Sequence, residues 1–166
     1  MSTRFSHSRV EVFDRCPFKY RLRYVDGLDT ISNTDADNAL ILGTALHTGI
    51  EEGVEQALDF YKNSFPVLTD DHIHEMMKLE AMIPKAKAML PPGGTFELPI
   101  GNADFIGFMD YLVPVGKGLK LDGLITGEDL DEFEAFDLYD FKYSNNAKNY
   151  AVSGQLHEYK YWYELT

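Results

Sequence analysis

A single cysteine, Cys16, stands in 166 residues. That excludes an intramolecular disulfide and any zinc or iron–sulfur centre built from several thiolates of this chain. No apolar run approaches the roughly 18 residues of a membrane-spanning helix. The opening stretch, MSTRFSHSRVEVFD, lacks the apolar core of a signal peptide, so a cytosolic protein is expected. The phosphate-cradling Gly-rich loop followed by Lys-Ser/Thr is missing, as are G-x-G-x-x-G, G-x-S-x-G and H-E-x-x-H. Their absence removes the usual nucleotide-binding, serine-hydrolase and zinc-protease signatures. Cations are also scarce, with 15 Lys and Arg against 27 Asp and Glu and a net charge of −12. Such a balance speaks against a uniformly basic nucleic-acid surface.

What is present describes one folded domain. Hydrophobic residues make up 45% and charged residues 25%, and the length supports one sizeable core but not two. The charge is unevenly placed. Arg4, Arg9, Arg15, Lys19, Arg21 and Arg23 face only Glu11 and Asp14 within residues 1–24, a net of +4, so the remainder carries −16. A local basic patch on an acidic body follows. Clustered carboxylates also suit a cation site.

The order of elements is legible from periodicity and breakers. Residues 6–25 read as a short helix capped by Ser6 or Ser8, a Cys-Pro break and a second amphipathic piece. Residues 26–38 are polar and turn-rich. Leu42, Leu46, Ile50, Val54, Ala57, Leu58 and Tyr61 recur at three- and four-residue steps, predicting one helix over about 38–62. Another helix is predicted over 70–89, ending at Pro91-Pro92-Gly93-Gly94. TFELPI (95–100), a GNAD turn and residues 104–115 predict an antiparallel hairpin. An acidic, Gly-rich excursion over 116–137 precedes a third strand, 137–144, and a helix over about 152–165 closes the chain. Helices, a meander of strands and a helix make an α/β or α+β domain with a small central sheet.

Several side chains are candidates for chemistry. On a strand, Asp140 and Lys142 would share a face, either as a plain ion pair or as a metal-ligating carboxylate beside a lysine that orients water and steadies phosphoryl charge. Asp110, flanked by Ile106, Phe108, Met109, Tyr111 and Leu112, needs a cationic partner or water if buried. Glu97 on the preceding strand carries a weaker signal. His47 shares a helical face with Gly43, Ile50 and Glu51, and is either a hydrogen-bonded core histidine or a ligand. His72 and His74 are read as solvated. Gln155 and Tyr159, one helical turn apart, are a core-facing polar pair or a substrate contact. Cys16, ahead of a proline, is read as structural.

Taken in order, these residues resemble the RecB-like branch of the PD-(D/E)xK nuclease superfamily, related to the CRISPR-adaptation exonucleases. The matching features are Gly43-x-x-x-His47, Gly107-x-x-Asp110, Asp140-Phe141-Lys142 and Gln155-x-x-x-Tyr159, with SHSRVEVFDRCPFKY resembling the family's opening segment. The resemblance covers residues 6–163. It implies a restriction-endonuclease-like α/β core, a small central mixed sheet flanked by helices. On that reading residues 1–166 form one nuclease domain, with a helical part over about 1–90 and the catalytic sheet and closing helix over about 94–166. It further implies one or two Mg²⁺ or Mn²⁺ ions on His47, Asp110, Asp140 and the Phe141 carbonyl, with Glu97 as a further group. Lys142, Asp110 and Asp140 would be catalytic, with Lys142 placing the attacking water. Gln155 and Tyr159 would contact DNA, joined by Arg9, Arg15, Lys19 and Arg21 of the basic segment. The three further cysteines of iron–sulfur relatives are absent, so no cluster is expected.

The expected activity is phosphodiester hydrolysis by a DNA exonuclease in recombination, repair or phage DNA processing, in the cytoplasm of a bacterium or a phage-infected host. A second reading is a weakly or non-catalytic subunit whose acidic surface docks on a basic partner such as a helicase or a strand-annealing protein. A third is a metal-dependent enzyme of RNA or nucleotides. The chain runs only seven residues past Tyr159, which raises the expectation of a trimmed form or a minimal domain that leans on a partner.

Overall fold

The computed structural model describes residues 4–31, 33–117, 134–144 and 154–165. Helix α1 (His7–Arg15) opens at Ser6, whose side chain accepts the Arg9 amide at 3.4 Å. Cys16 ends that helix and starts the next, its Sγ accepting the Lys19 amide at 3.4 Å. Pro17 leads the one-turn α2 (Pro17–Tyr20), where a missing amide proton costs no intrahelical bond. A π-helical turn, Arg21–Val25, follows. Cys16 thus serves as a cap, in line with its structural reading.

The single helix expected over 38–62 is two. Helix α3 (Ala39–Glu51) starts at Asn38, whose Oδ1 accepts the Leu40 and Ile41 amides. It stops before Gly53, where φ is +127°, and α4 (Val54–Asn63) sets off again. Only glycine adopts that backbone without strain. The apolar spacing continues across the break because both helices bury the same side, so periodicity alone conceals it. Helix α5 (Asp70–Ala88) lies close to its expected bounds.

These three helices enclose the larger core of Leu42, Ala45, Leu46, Ile50, Ala57, Tyr61, Phe65, Leu79 and Ile83. His72 joins it, correcting the solvated reading: it is 5% exposed and its ring stands edge-on to Phe65 at 4.4 Å. The reason is helical phase, since His72 falls three, seven and eleven residues before Glu75, Leu79 and Ile83, all buried on α5. His74, two residues on, is exposed as expected. The closest helix contact is at Gly49. A Cβ there would collide with the Ile83 side chain and sit 3.0 Å from the Ala57 Cβ. Gly49→Ala is therefore expected to lower unfolding free energy by about 1–3 kcal/mol, the usual cost of overpacking. A denaturant midpoint equal to wild type would contradict this.

Strands β1 (Thr95–Gly101) and β2 (Ile106–Lys117) form the expected hairpin. Asn102 Oδ1 accepts the Asp104 and Phe105 amides and closes the turn. Strand β3 (Glu134–Tyr139) pairs antiparallel with β2, with a bulge between Pro114 and Gly116 where proline's lack of a donor does least harm. Two expectations change here. The third strand lies earlier than 137–144, its ladder ending at the Tyr111–Tyr139 pair, so Asp140 to Ser144 leave the sheet. The sheet is antiparallel in order β1-β2-β3, and its mixed character reduces to one parallel bridge, Phe5 to Phe105. The bulk of the acidic excursion, residues 118–133, lies outside the described residues, as do 152 and 153 of the closing helix.

Helix α6 (Gln155–Leu165) covers the sheet. Tyr159 completes a smaller core with Ile100, Phe105, Met109 and Leu112. Phe141 and Tyr143, by contrast, pack against the helical core. The segment leaving β3 therefore crosses from one core to the other. Among the described residues, no helix is long and apolar enough to cross a membrane.

Candidate metal centre

Asp110 stands in the middle of β2, its side chain 11% exposed. The hairpin register pairs Phe96 with Tyr111 and Leu98 with Met109, which places Glu97 directly opposite Asp110. Two carboxylates across an antiparallel pair repel one another. At that same position Glu97 has φ +49°, the only positive value among the described non-glycine residues. A left-handed backbone in mid-strand costs energy and persists where surroundings impose it, commonly at functional sites.

His47, near the C-terminal half of α3, reaches across to this pair. Its Nδ1 lies 4.0 Å from Glu97 Oε1 and its Nε2 3.6 Å from Asp110 Oδ2. The three ligand atoms lie within 4.8 Å of one another, the one such group found among the described residues. Nε2 also hydrogen-bonds the Phe141 carbonyl at 2.8 Å, and the Phe141 amide donates to Asp110 Oδ2 at 2.6 Å. Neighbouring ligands of an octahedral ion with bonds of about 2.1 Å are roughly 3 Å apart. The distances from Nε2 to the Phe141 oxygen and to Asp110 Oδ2, 2.8 and 3.6 Å, bracket that spacing, and the donors are of the kind a hard divalent cation takes.

Electrostatics agree. Burial, the largest influence, pushes the Asp110 carboxyl up to about 6, with Asp140 raising it further and the Phe141 amide, His47 and Lys142 opposing. A charge destabilised in this way is what a bound cation relieves. Protons then compete with metal. Apparent affinity for a divalent cation is expected to be steady from pH 8 to about 6 and to fall by up to about tenfold per pH unit below that. Calorimetric titration across pH 5–8 measures it, and a flat profile would refute it.

Asp140 and Lys142 do come together, though off the strand: Lys142 Nζ donates to Asp140 Oδ1 at 2.8 Å. Asp140 is outside the three-residue cluster, its carboxylate occupied by that lysine. It remains close enough to raise Asp110. Tyr159 is 7% exposed and accepts from Gln155 Nε2 at 2.8 Å. Burial raises its hydroxyl, with Asp140 and Asp110 adding. Gly107 explains its place in the motif, since a Cβ there would meet Tyr159 Cε1 at 3.0 Å. The bare backbone lets that ring lie down beside Asp110's strand.

The basic segment stands next to α6. His7 Nδ1 and Glu158 Oε2 are 2.9 Å apart, and Phe5 pairs with Phe105. Arg9 donates to the Arg4 carbonyl and lies over the Tyr24 ring at 4.8 Å. Arg15 pairs with Glu11 at 2.6 Å and Arg21 with Asp26 at 3.4 Å, while Lys19 is exposed. The strength of Glu97's placement was missed in sequence. Counting back from the GNAD turn gives the register that sets it against Asp110, and that signal was readable.

Among the described residues, a three-stranded antiparallel sheet flanked by helices carries a His/Glu/Asp cluster that could hold a divalent cation, an α/β domain with a candidate metal centre. The family model of the PD-(D/E)XK nuclease superfamily matches residues 4–165, and the chain belongs to that superfamily. Comparison with curated proteins and with solved structures gives no match.

Proposed function

We propose that this chain is a divalent-metal-dependent deoxyribonuclease of the RecB-like branch, an exonuclease hydrolysing phosphodiester bonds in recombination, repair or phage DNA processing. The observation that carries the reading is the gathering of ligand atoms of His47, Glu97 and Asp110 within 4.8 Å of one another, with the Phe141 carbonyl bonded to His47. Mg²⁺ or Mn²⁺ held there supplies Lewis acidity and an activated water. An imidazole among the ligands favours Mn²⁺. Lys142, held by Asp140 next to these groups, places its ammonium where charge grows on the phosphoryl oxygens. Gln155 and Tyr159 brace the far side from α6, and Arg9, Arg15, Lys19 and Arg21 provide the adjoining track for the phosphate backbone.

The test is a panel of linear and circular, single- and double-stranded DNA, with a matched RNA, incubated with Mn²⁺, Mg²⁺ or chelator. Linear DNA shortened from its ends only with metal is the expected result. Nicking of circles would replace exonuclease by endonuclease, and cleavage of RNA alone would move the substrate class. No cleavage of any substrate would favour a nuclease-fold subunit docking on a basic partner, a reading that the charge of −12 supports.

A further inference from the structure

The motif segment is held in an unusual way. Asp140 to Ser144 have left the β-ladder and belong to no regular element. What keeps Phe141 in place is the bond from its amide to Asp110 and the bond from His47 to its carbonyl. Both partners are also the proposed metal donors, so these bonds are not independent of the cation. One tether is. Tyr143 donates its hydroxyl to Glu75 Oε2 on α5 at 3.1 Å, across 68 residues of sequence.

Glu75 is a carboxylate only 9% exposed in the middle of a helix. Its other oxygen accepts from Lys78 Nζ at 2.6 Å. Burying a carboxylate is costly unless its oxygens are satisfied, and here both are. Tyr143 is the donor of this bond and the carboxylate the acceptor. Its ring packs against the helical core, as does Phe141, two residues away. Lys142, between them, is exposed and bonded to Asp140.

We propose that Glu75 and Tyr143 form a positioning pair that locks Asp140-Phe141-Lys142 onto the helices. Glu75, remote from the metal donors, is thereby a positioning residue for the centre. The role rests on the metal-dependent reading above. Its consequence is that the Phe141 carbonyl and the Asp140–Lys142 pair stay in place while His47 and Asp110 exchange protein partners for a cation.

Two measurements test it. In the metal-free protein, Tyr143→Phe and Glu75→Met are each expected to speed amide exchange at residues 141–144 by roughly tenfold, with α3 to α5 exchanging as in wild type. In the same samples the half-saturating Mn²⁺ concentration should rise about tenfold, the usual cost of losing an outer partner of a metal site. Glu75→Gln keeps an acceptor oxygen and should recover both to within about threefold. Lys78→Gln removes the ammonium on the other Glu75 oxygen but leaves the Tyr143 bond, and should leave both within about twofold. The Glu75→Met/Tyr143→Phe double variant should match either single, because one bond is lost in each. Unchanged exchange and Mn²⁺ affinity in Tyr143→Phe would overturn the proposal. So would faster exchange throughout α3–α5 with the folded fraction's Mn²⁺ affinity intact, which marks a role in stability alone. If wild type binds Mn²⁺ and cleaves nothing, the nuclease reading fails while both measurements still judge the tether.

Discussion

Asp110→Asn is expected to abolish metal-dependent cleavage while making the metal-free protein more stable at neutral pH. The two effects have one origin. The carboxyl sits at about 6, above the ordinary value of 3.8, chiefly because of burial. The folded state therefore holds the proton more tightly than the unfolded state. Stability contributed by this group is whole below pH 3.8, declines as pH rises between 3.8 and about 6, and reaches its full penalty above that. At about 1.4 kcal/mol per tenfold, the penalty at pH 7.5 is at most about 3 kcal/mol. Asparagine removes the charge and keeps an oxygen for the Phe141 amide. Thermal unfolding in chelator should show the variant melting roughly 2–8 °C above wild type at pH 7.5, and level with it near pH 4. Excess Mn²⁺ should raise wild type alone, since only a ligand that binds the folded state stabilises it. Cleavage should fall by about 10³-fold or more, as expected when a charged metal donor and its electrostatics are removed. A lower melting temperature for the variant in chelator would mean instead that the Phe141 and His47 contacts outweigh the cost of burial.

Lys142→Ala is expected to lower kcat by about 10²–10⁴-fold while leaving Mn²⁺ affinity equal or slightly improved. The ammonium is 2.8 Å from Asp140 Oδ1, and its side chain is 31% exposed. Its charge lowers the Asp110 carboxyl. Its removal strips positive charge from beside the carboxylates, which if anything favours a metal ion. Lys142→Arg should fail to restore the rate, because a planar guanidinium does not occupy the place of a compact ammonium. Single-turnover cleavage at saturating metal, with calorimetry alongside, separates the roles. A loss of rate matched by an equal loss of metal affinity would show Lys142 acting only through the arrangement of Asp140. Rates equal to wild type on every substrate would end the enzyme reading and leave the partner-binding one.

Sequence by itself determined the succession of helices, strand meander and closing helix, and the hairpin at 95–115. These are local consequences of period and turn chemistry: Asn102 closes its own turn, Pro17 can only begin a helix, and His47 falls on the inward side of α3. Even Glu97 opposite Asp110 was implicit in the register. Local patterns misled where one pattern fits two structures. The apolar repeat ran unbroken through Gly53, and the alternation around Asp140 continued past the last ladder pair. Only the tertiary structure decided that Glu97 is strained and that Glu75 reaches Tyr143. Those outcomes depend on contacts between residues far apart in the chain. No propensity or spacing encodes them, because their free energy comes from burial and from partners that exist only once the two cores have packed together.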